Sequence, residues 1–388
     1  MKNNVTADIR KDKMKLLYLF PRILDLTFQN TTENEIARAI KRQGHLVETI
    51  QAYQREKIQL DGFTDIMYVH VTSSGLFAKL IFQLKVLAFT WKSDADVILL
   101  GYSVAHLIPL LAMRSKIFKK AKCILDIRSV PVDLAPGIKG RVQEGRYRLG
   151  IWLADKFCDG ITAITPMLRD TLIPHLKRLK NNVGIWTSGV NLEYFQAAKR
   201  DNRGELGLKD KKVLIYHGVL SPNRGLKDVI TAVGLLREEY DDLHFLVVGE
   251  GPGKEEMEKE ARRCGVESRV LFTGHVSYRD IPKYLGSADV GILPFPNIEW
   301  WAVSSPIKLM EYLAIGLPVI ATDIAAIRYV TDQTGGAVLA RDNRPENLAE
   351  AIRAFYEKGC PSVSRDLLED TISWNKQAKS LLQYINDI

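Results

Sequence analysis

Residues 304–323 read SSPIKLMEYLAIGLPVIATD, a polar start followed by a helical apolar pattern and a second short apolar run. Ser304 or Ser305 is placed to cap a helix whose first residue is Pro306, since proline is favoured at the first helical position. The amide groups at such a helix start point outward and can hold an anion. Lys308 lies in the first turn, where a cation opposes the helix dipole unless an anion is beside it. The segment therefore predicts an anion site, the alternative being a plain capped helix.

Residues 216–226, YHGVLSPNRGL, predict a second strand-loop-helix turn. Gly218 permits a tight turn after the strand, and Arg224 precedes the helix, where a guanidinium suits phosphate oxygens. Glu311 follows Lys308 by about one helical turn, within reach of hydroxyl groups attached to a bound anion. Solvated side chains at Arg224 and Glu311 are the alternative.

Short apolar runs alternate with helical patterns along the chain, which predicts parallel sheets covered by helices on both faces. Residues 244–253, HFLVVGEGPG, place Gly249 at the end of one such run. No acidic residue ends a second strand at the distance that a nicotinamide site requires, so these are interpreted as turn glycines. The predicted strands are Lys15–Phe20, Ile66–His70, Val97–Leu100, Cys123–Asp126, Gly160–Thr165, Val183–Trp186, Val213–Tyr216, His244–Val248, Val270–Phe272, Val290–Leu293 and Pro318–Ala321. A polar stretch at residues 197–212 predicts the linker between two such domains.

Charge is distributed unevenly. Residues 1–200 carry 31 Lys and Arg against 18 Asp and Glu, whereas residues 201–388 carry 23 against 28. The basic half predicts an anionic partner: nucleic acid, an anionic membrane surface or a phosphate-bearing substrate. The stretch 107–122 favours the membrane, because an apolar segment runs into a cluster of cations, although a helix packed on the sheet with a solvated end is the alternative. These cations are Arg114, Lys116, Lys119, Lys120 and Lys122.

The N-terminus has no signal-peptide cleavage site, and no apolar run is long enough to cross a bilayer. The four cysteines are scattered without the spacing of metal ligands. We therefore expect a cytoplasmic protein with free thiols and no metal site or cofactor, attached at most to the inner face of the membrane.

The order and spacing of these segments resemble the C-terminal domain of retaining GT-B glycosyltransferases of family 4, the glycosyl transferases group 1. The resemblance covers HGVLSPNRGL, LVVGEGP, VLFTGHVSYRDIPKYLGSADVGILPF and SSPIKLMEYLAIGLPVIATD. DGITAITPMLRDTL with WTSGVNLEYF is similar to the last unit of the family's first domain, and WNKQAKSLLQYI to its terminal helix. The resemblance implies two Rossmann-like, doubly wound domains facing a central cleft. An acceptor-binding domain at 1–198 precedes a nucleotide-sugar domain at 199–370, and a helix at 371–388 crosses back.

The resemblance also implies the substrates: a nucleotide-diphosphate sugar donor and a glycan or lipid-linked hydroxyl acceptor. Arg224 and Lys308 would neutralise the diphosphate, Glu311 would hold the ribose, and the backbone at Gly274–Val276 would face the base. No metal or protein nucleophile is required, because a phosphate oxygen takes the acceptor's proton. The implied donor site comprises Gly218, Arg224, Gly249, Gly274, His275, Val276, Ser305, Pro306, Ile307, Lys308 and Glu311.

Acceptor groups are expected from the first domain. Asp126 and Arg128 follow the end of a predicted strand, where the family often places an acceptor-site acid or histidine. They are assigned to catalysis together with the two donor-site cations; the alternative for Asp126 is a turn cap. His217 and His275, in loops at the predicted cleft, are expected near the nucleotide or sugar.

The sequence departs from the family where the donor sugar binds. Val303 stands where many members have a glutamate, with Glu299 four residues earlier, and Val219 stands where an arginine is common. A sugar-nucleotide epimerase of the same architecture is the alternative enzyme, and a basic, non-catalytic binding protein is the alternative outside enzymes. Nucleic acid is not favoured as a partner, because the basic residues lack interleaved aromatics and no recognition motif is present.

Overall fold

A computed structural model describes residues 13–20, 23–24, 31–54, 57, 60, 62–71, 76–102, 121–131, 137–197 and 202–388. They form two units, one of Met1–Thr187 with Trp374–Ile388 and one of Ser188–Ser373. The strands are β1 (Lys15–Leu19), β2 (Ile23–Leu24), β3 (Leu46–Tyr53), β4 (Asp65–His70), β5 (Val97–Gly101), β6 (Lys122–Ile127), β7 (Gly160–Ala163), β8 (Val183–Ile185), β9 (Lys212–His217), β10 (Leu243–Val248), β11 (Val270–Gly274), β12 (Val290–Leu293), β13 (Val319–Thr322) and β14 (Ala337–Ala340).

The helices separate these strands in nearly regular alternation. They are α1 (Thr31–Arg42), α2 (Leu76–Lys92), α3 (Ile138–Phe157), α4 (Pro166–Leu172), α5 (Leu192–Ala197), α6 (Arg203–Leu206), α7 (Leu226–Leu235), α8 (Lys254–Arg263), α9 (Ile281–Leu285), α10 (Glu299–Ala302), α11 (Ile307–Ala314), α12 (Ala325–Thr334), α13 (Pro345–Lys358), α14 (Arg365–Ile372) and α15 (Trp374–Asp387).

Each unit is built on one parallel sheet. In the first, the order is β2-β3-β1-β5-β6-β7-β8, with β4 also paired to β3, and in the second it is β11-β10-β9-β12-β13-β14. The strands β5, β9 and β12 are apolar and buried nearly throughout, as strands covered by helices on both faces must be. The predicted α/β class with two Rossmann-like parallel sheets is confirmed.

One central strand was not predicted from the sequence. The strand β3 reads LVETIQAY, and its polar residues obscured the apolar run, yet Thr49 and Gln51 are buried. Gln51 donates from Nε2 to the Ala52 carbonyl at 2.8 Å, and Glu48 pairs with Lys15 at 2.8 Å. Local partners thus engage the Gln51 amide nitrogen and the Glu48 carboxylate, polar groups that sequence alone marks as unsuited to a core strand.

The chain passes between the units at Thr187–Ser188 and again at Ser373–Trp374, rather than in the polar stretch 197–212. The described part of that stretch contains α6, whose Arg203 forms an ion pair with Asp289 at 2.6 Å. Arg203 also donates from Nε to the Ser287 carbonyl at 3.0 Å. These contacts anchor the stretch to the second unit, which its polarity did not indicate.

The last helix, α15, packs against α1 and β8 of the first unit. Its Tyr384 hydroxyl accepts a hydrogen bond from the Ile161 amide at 3.0 Å and donates to the Asn182 carbonyl at 2.9 Å. The ring lies directly over Gly184, where a Cβ atom would come 2.5 Å from Tyr384 Cγ. The glycine therefore makes room for the aromatic ring that holds the end of the chain on the sheet.

Gly184→Ala should lower the free energy of unfolding by about 1–3 kcal/mol, because the new methyl group displaces a buried ring in a well-packed site. Gly145→Ala is the control: no atom lies within 4 Å of the Cβ position of this exposed helical glycine. Its helix should be stabilised by up to about 1 kcal/mol. Urea unfolding of both variants measures the difference. Equal stability of Gly184→Ala and the wild type would contradict the packing of Tyr384.

Candidate functional site

The carboxyl ends of β9, β10 and β11 form a backbone cradle in the second unit. The Gly218 amide donates to the Val248 carbonyl at 2.8 Å, and Gly249 forms a bridge with Gly274. Gly249 has a φ of 141°, and a Cβ atom there would lie 2.0 Å from the Gly218 carbonyl oxygen. The glycines in HFLVVGEGPG are thus explained by close packing of neighbouring backbone segments, in agreement with their interpretation as turn glycines.

The helix α11 begins one residue later than predicted, and no side chain that the structure describes caps it. Pro306 occupies the N-cap position without a side-chain hydrogen bond, and Ile307 is the first helical residue. Ser304 donates instead to the Trp301 carbonyl at 2.8 Å, and Ser305 Oγ accepts from the Ser188 amide at 3.1 Å. The serine-cap prediction is therefore wrong, because both hydroxyls are engaged by neighbouring backbone. The helix start remains without a capping side chain.

Lys308 lies half-buried in the first turn of α11, over the cradle. Its Nζ is 5.8 Å from the centre of the Tyr216 ring, and a Cβ atom on Gly218 would lie 2.5 Å from Lys308 Cε. Burial lowers the pKa of the ammonium group to about 8, Arg224 acts in the same direction, and Glu311 opposes them. The side chain retains most of its charge at pH 7 but is held in surroundings that disfavour it.

Arg224 ends a short 3₁₀ turn, Pro222–Arg224, and converges on the same tyrosine. Its Nη1 donates to the Tyr216 hydroxyl at 3.2 Å, and its Cζ lies 5.1 Å from the centre of the Trp301 ring. Trp301 in turn stacks on Phe295 with ring centres 4.3 Å apart. Arg224 Nε is buried and has no hydrogen-bond partner among the described residues. A donor left unmatched in this way is costly unless a ligand accepts from it.

Neither cation forms an ion pair with a described residue. Arg224 and Lys308 both contact Tyr216, and the charge of Arg224 disfavours the charge on Lys308. Two half-buried cations beside an uncapped helix start have the charge and donors to bind a group with more than one negative charge. The arrangement therefore supports binding of a diphosphate.

Glu311 is almost fully buried within a hydrogen-bonded network. Its Oε2 lies 2.7 Å from His217 Nε2, and its Oε1 accepts from the Tyr278 hydroxyl at 2.7 Å. His217 Nδ1 lies 3.2 Å from the Tyr312 hydroxyl. Burial lowers the pKa of His217 against the opposing effect of Glu311, so we assign a neutral ring that donates from Nε2 and accepts at Nδ1. Each carboxylate oxygen keeps a further lone pair for a ligand hydroxyl.

The remaining predicted donor-site residues differ in exposure. His275 is exposed just after β11, and Val276 is half-buried against the core of the second unit. His217, which was expected near the ligand from a loop, is instead a buried member of the Glu311 network at the end of β9. Its hydrogen bond to Glu311 makes it a group that positions that carboxylate.

In the first unit, Asp126 is fully buried at the end of β6. Its Oδ1 accepts from the Thr162 hydroxyl at 2.8 Å, and the Tyr18 hydroxyl lies 3.5 Å from Oδ2. Burial raises the pKa of the carboxyl group to about 6, against the opposing effects of Arg128 and Thr162. The side chain is therefore neither a turn cap nor, in this conformation, an exposed acceptor contact.

Arg128 lies flat on Trp186, its Cζ 3.7 Å from the ring centre. Its Nη1 donates to the Trp186 carbonyl at 3.0 Å, while Nη2 is buried and no residue in the described part of the chain accepts from it. The unmatched donor makes Arg128 the better placed of the two predicted acceptor-side groups to meet a polar ligand.

Known proteins match this chain in sequence. A sequence profile described as Glycosyl transferases group 1 matches residues 198–377. The alpha-D-kanosaminyltransferase of Streptomyces kanamyceticus is 27% identical over 163 residues, covering 42% of this chain and 41% of that protein. The putative colanic acid biosynthesis glycosyl transferase WcaI of Escherichia coli is 28% identical over 285 residues, covering 69% and 68%. The alignments with the first three curated relatives span 41% to 53% of those proteins.

The fold is shared over nearly the whole chain. Anabaena Alr3699/HepE, solved in complex with UDP and glucose, matches with a TM-score of 0.74 at 15% identity, covering 97% of this chain and 100% of that one. Together the comparisons show that the chain shares the fold of this structure and that residues 198–377 match the Glycosyl transferases group 1 profile. The sequence match lies on the unit that contains Arg224 and Lys308.

Several residues of this site were not identified from the sequence. Tyr216, Trp301 and Tyr278 contact the two cations and Glu311, but they come from three separate elements. A tyrosine at the end of an apolar strand carries no local signal of this role. Among the described residues, no group of three or more His, Cys, Asp or Glu side chains is placed to hold a metal ion.

Because of Asp126, the stability of the first unit should depend on pH in a defined direction. Its folded-state pKa of about 6 exceeds that of an unfolded aspartate, about 3.9, so the folded state holds the proton more tightly. The free energy of unfolding should therefore fall as the pH rises from about 4 to 6 and remain lower above that. Asp126→Asn should remove this dependence and be more stable than wild type at pH 7.5, by up to about 3 kcal/mol.

Urea unfolding between pH 4 and 8 measures this effect, with Asp170→Asn at an exposed position as the control. A loss of stability in Asp126→Asn that is equal at every pH would show that the carboxylate is needed structurally in its charged form.

Proposed function

We propose that this chain is a retaining glycosyltransferase that moves a sugar from a nucleotide-diphosphate donor to a hydroxyl acceptor. The observation that carries the proposal is the pair of cations, Arg224 and Lys308, which share Tyr216 and have no carboxylate partner among the described residues. The orphaned Nε of Arg224 and the uncapped start of α11 add donors to the same site. A diphosphate supplies the charges and acceptors that these groups lack.

In this proposal the rest of the nucleotide extends over the cradle. Glu311, held in place by His217 and Tyr278, accepts hydrogen bonds from the ribose hydroxyls through its unused lone pairs. The backbone at Gly274–Val276 faces the base. The matching structure that holds UDP makes uridine nucleotides the first donors to try.

The proposed reaction breaks the bond between the sugar's anomeric carbon and the diphosphate oxygen. The acceptor oxygen forms its new bond on the same face of the sugar, and its proton passes to a phosphate oxygen. The products are the glycoside and the nucleoside diphosphate. Arg224 and Lys308 stabilise the negative charge that develops on the leaving diphosphate, the step at which fixed cations contribute most. Neither a metal ion nor a protein nucleophile is required.

We assign donor binding to the second unit, Ser188–Ser373, and acceptor binding to the first unit, with Arg128 as the acceptor-side contact. The WcaI relative is described as a putative colanic acid biosynthesis enzyme, which supports a cell-surface glycan or its lipid-linked precursor as the acceptor. Such precursors are consistent with a cytoplasmic enzyme at the inner face of the membrane, which is the location proposed.

Replacing Arg224 or Lys308 with alanine should weaken the binding of a nucleoside diphosphate by about 10- to 100-fold, because each loses a charge-assisted hydrogen bond. Binding of the corresponding nucleoside should change much less. Thermal shifts with UDP, GDP, ADP and TDP, and then with the nucleosides, measure both.

Lys259→Ala, which removes an exposed cation from α8, is the matched control and should bind diphosphates as the wild type does. Equal losses of nucleoside and diphosphate binding in the Arg224 variant would exclude the assigned phosphate contact.

Activity should survive EDTA, since two cations already provide the charge that a metal ion would supply at the diphosphate. Donor turnover by protein treated with EDTA and then desalted is the measurement. Loss of turnover that manganese or magnesium restores would overturn the metal-independent reaction while leaving the diphosphate site in place.

A further inference from the structure

The helix α3 presents an apolar stripe to solvent between two rows of cations. At 100° per residue, Ile138, Val142, Leu149 and Trp152 fall within a sector of about 80°. All four are exposed, Ile138 at 80% and Trp152 at 47%. The exposed Arg141 and Arg148 flank the stripe on one side, and Lys139 and Arg146 flank it on the other. The opposite face of the helix buries Ile151 and Ala154.

The helix α2 is apolar on its outer face as well as on its inner face. Phe82 and Val86 are buried, while the outward sector contains a continuous set of large apolar side chains. Phe77 is 75% exposed, Leu84 54% and Trp91 55%. The exposed set is Phe77, Leu80, Ile81, Leu84 and Trp91. A helix that is apolar on all sides is normally buried on all sides, so this exposed outer face is a candidate binding surface.

The two helices lie on the same face of the first sheet. Glu48 of β3 pairs with β1 on one side and with β4 on the other, so β3 lies between β4 and β1 in the sheet. The connection from β4 through α2 to β5 therefore runs across the sheet in the direction of β8. The crossover from β6 through α3 to β7 runs in the same direction. Because such crossovers are right-handed, both helices pack on one face. The helix α1 follows a crossover in the opposite direction and packs with α15.

We propose that the outward faces of α2 and α3 dock on the surface of an anionic lipid bilayer, with both helices lying at the level of the headgroups. Apolar side chains enter the acyl boundary, while the arginines and lysines at the edges of the stripe reach lipid phosphates. The positive charge of α3 favours an anionic bilayer as the partner of this surface. On α3 five exposed cations accompany the stripe, and one of them, Arg148, is paired with Glu144, which leaves an excess of four. The exposed cations are Lys139, Arg141, Arg146, Arg148 and Lys156.

This surface differs from the segment 107–122 that the sequence pattern favoured. Most of that segment lies outside the described residues. Its last cation, Lys122, begins β6 and donates to the Ile385 carbonyl at 2.7 Å. Lys122 is therefore engaged with α15 and is not a lipid contact. No described helix is long and apolar enough to cross a membrane, so α2 and α3 fit surface attachment.

Flotation of the full chain with vesicles of phosphatidylcholine containing phosphatidylglycerol tests the proposal without any donor or acceptor. Wild-type protein should float at low salt, float less at high salt, and stay unbound with pure phosphatidylcholine. Leu149→Ser/Trp152→Ser and Arg141→Glu/Arg146→Glu on α3, and Phe77→Ser/Leu84→Ser on α2, should each weaken partitioning by about tenfold or more. All six positions are exposed, which favours normal folding.

Leu235→Ser and Arg262→Glu, at exposed positions of the second unit, are the matched controls and should float as the wild type does. Thermal shift with nucleoside diphosphates in the absence of lipid reports separately on the proposed donor site, which these substitutions do not touch. Wild-type protein that stays unbound at low salt would overturn the proposal. Flotation that none of the three double variants reduces would also overturn it. Wild-type dimers that the same variants dissociate would overturn it too, because they would identify a second copy of the chain as the occupant of this surface.

Discussion

Lys308 and Arg224 are held against one buried tyrosine, and the repulsion between their charges is the constraint that organises the second unit's site. Tyr216 offers a ring face to one cation and a hydroxyl oxygen to the other. Burial and the charge of Arg224 both act against the charged form of Lys308, and no described carboxylate pairs with either side chain. Such an arrangement is unfavourable in isolation and becomes favourable when an anion with several charges is bound. The two cations therefore favour anion binding but lower the stability of the free protein.

The neighbouring residues can be understood from that constraint. Gly218 leaves space for the Lys308 stem, and Trp301, stacked on Phe295, forms a rigid surface for the guanidinium of Arg224. Glu311 offsets part of the repulsion, since it favours the charged form of Lys308. It remains tied to His217 and Tyr278 and does not close an ion pair. Direct neutralisation by a nearer carboxylate would occupy the donors that a ligand needs.

Much of this could be predicted from the sequence, because the signals are local. The alternation of strands and helices predicted both sheets, and the spacing of Lys308 and Glu311 along one helix predicted that they share a site. Long-range partners could not be predicted in this way. Trp301 meets Arg224 across 77 positions of sequence, and Tyr278 meets Glu311 across 33, with no pattern that links them. The burial of Asp126 could not be predicted for the same reason. An aspartate at the end of a strand is expected to be exposed, and its partners Thr162 and Tyr18 are distant in sequence.

The discontinuous first unit has a consequence for how the chain matures. Trp374, Ala378 and Leu381 belong to the same hydrophobic cluster as Leu16 and Ile36, so this core draws on residues from both ends of the described chain. Contacts between such distant residues form slowly, because a long loop must close first. During synthesis, Ser188–Ser373 emerges as one uninterrupted stretch and can complete its fold on the ribosome. We expect the earlier-synthesised unit to finish folding last, after α15 has been synthesised, and to depend on chaperones in that interval.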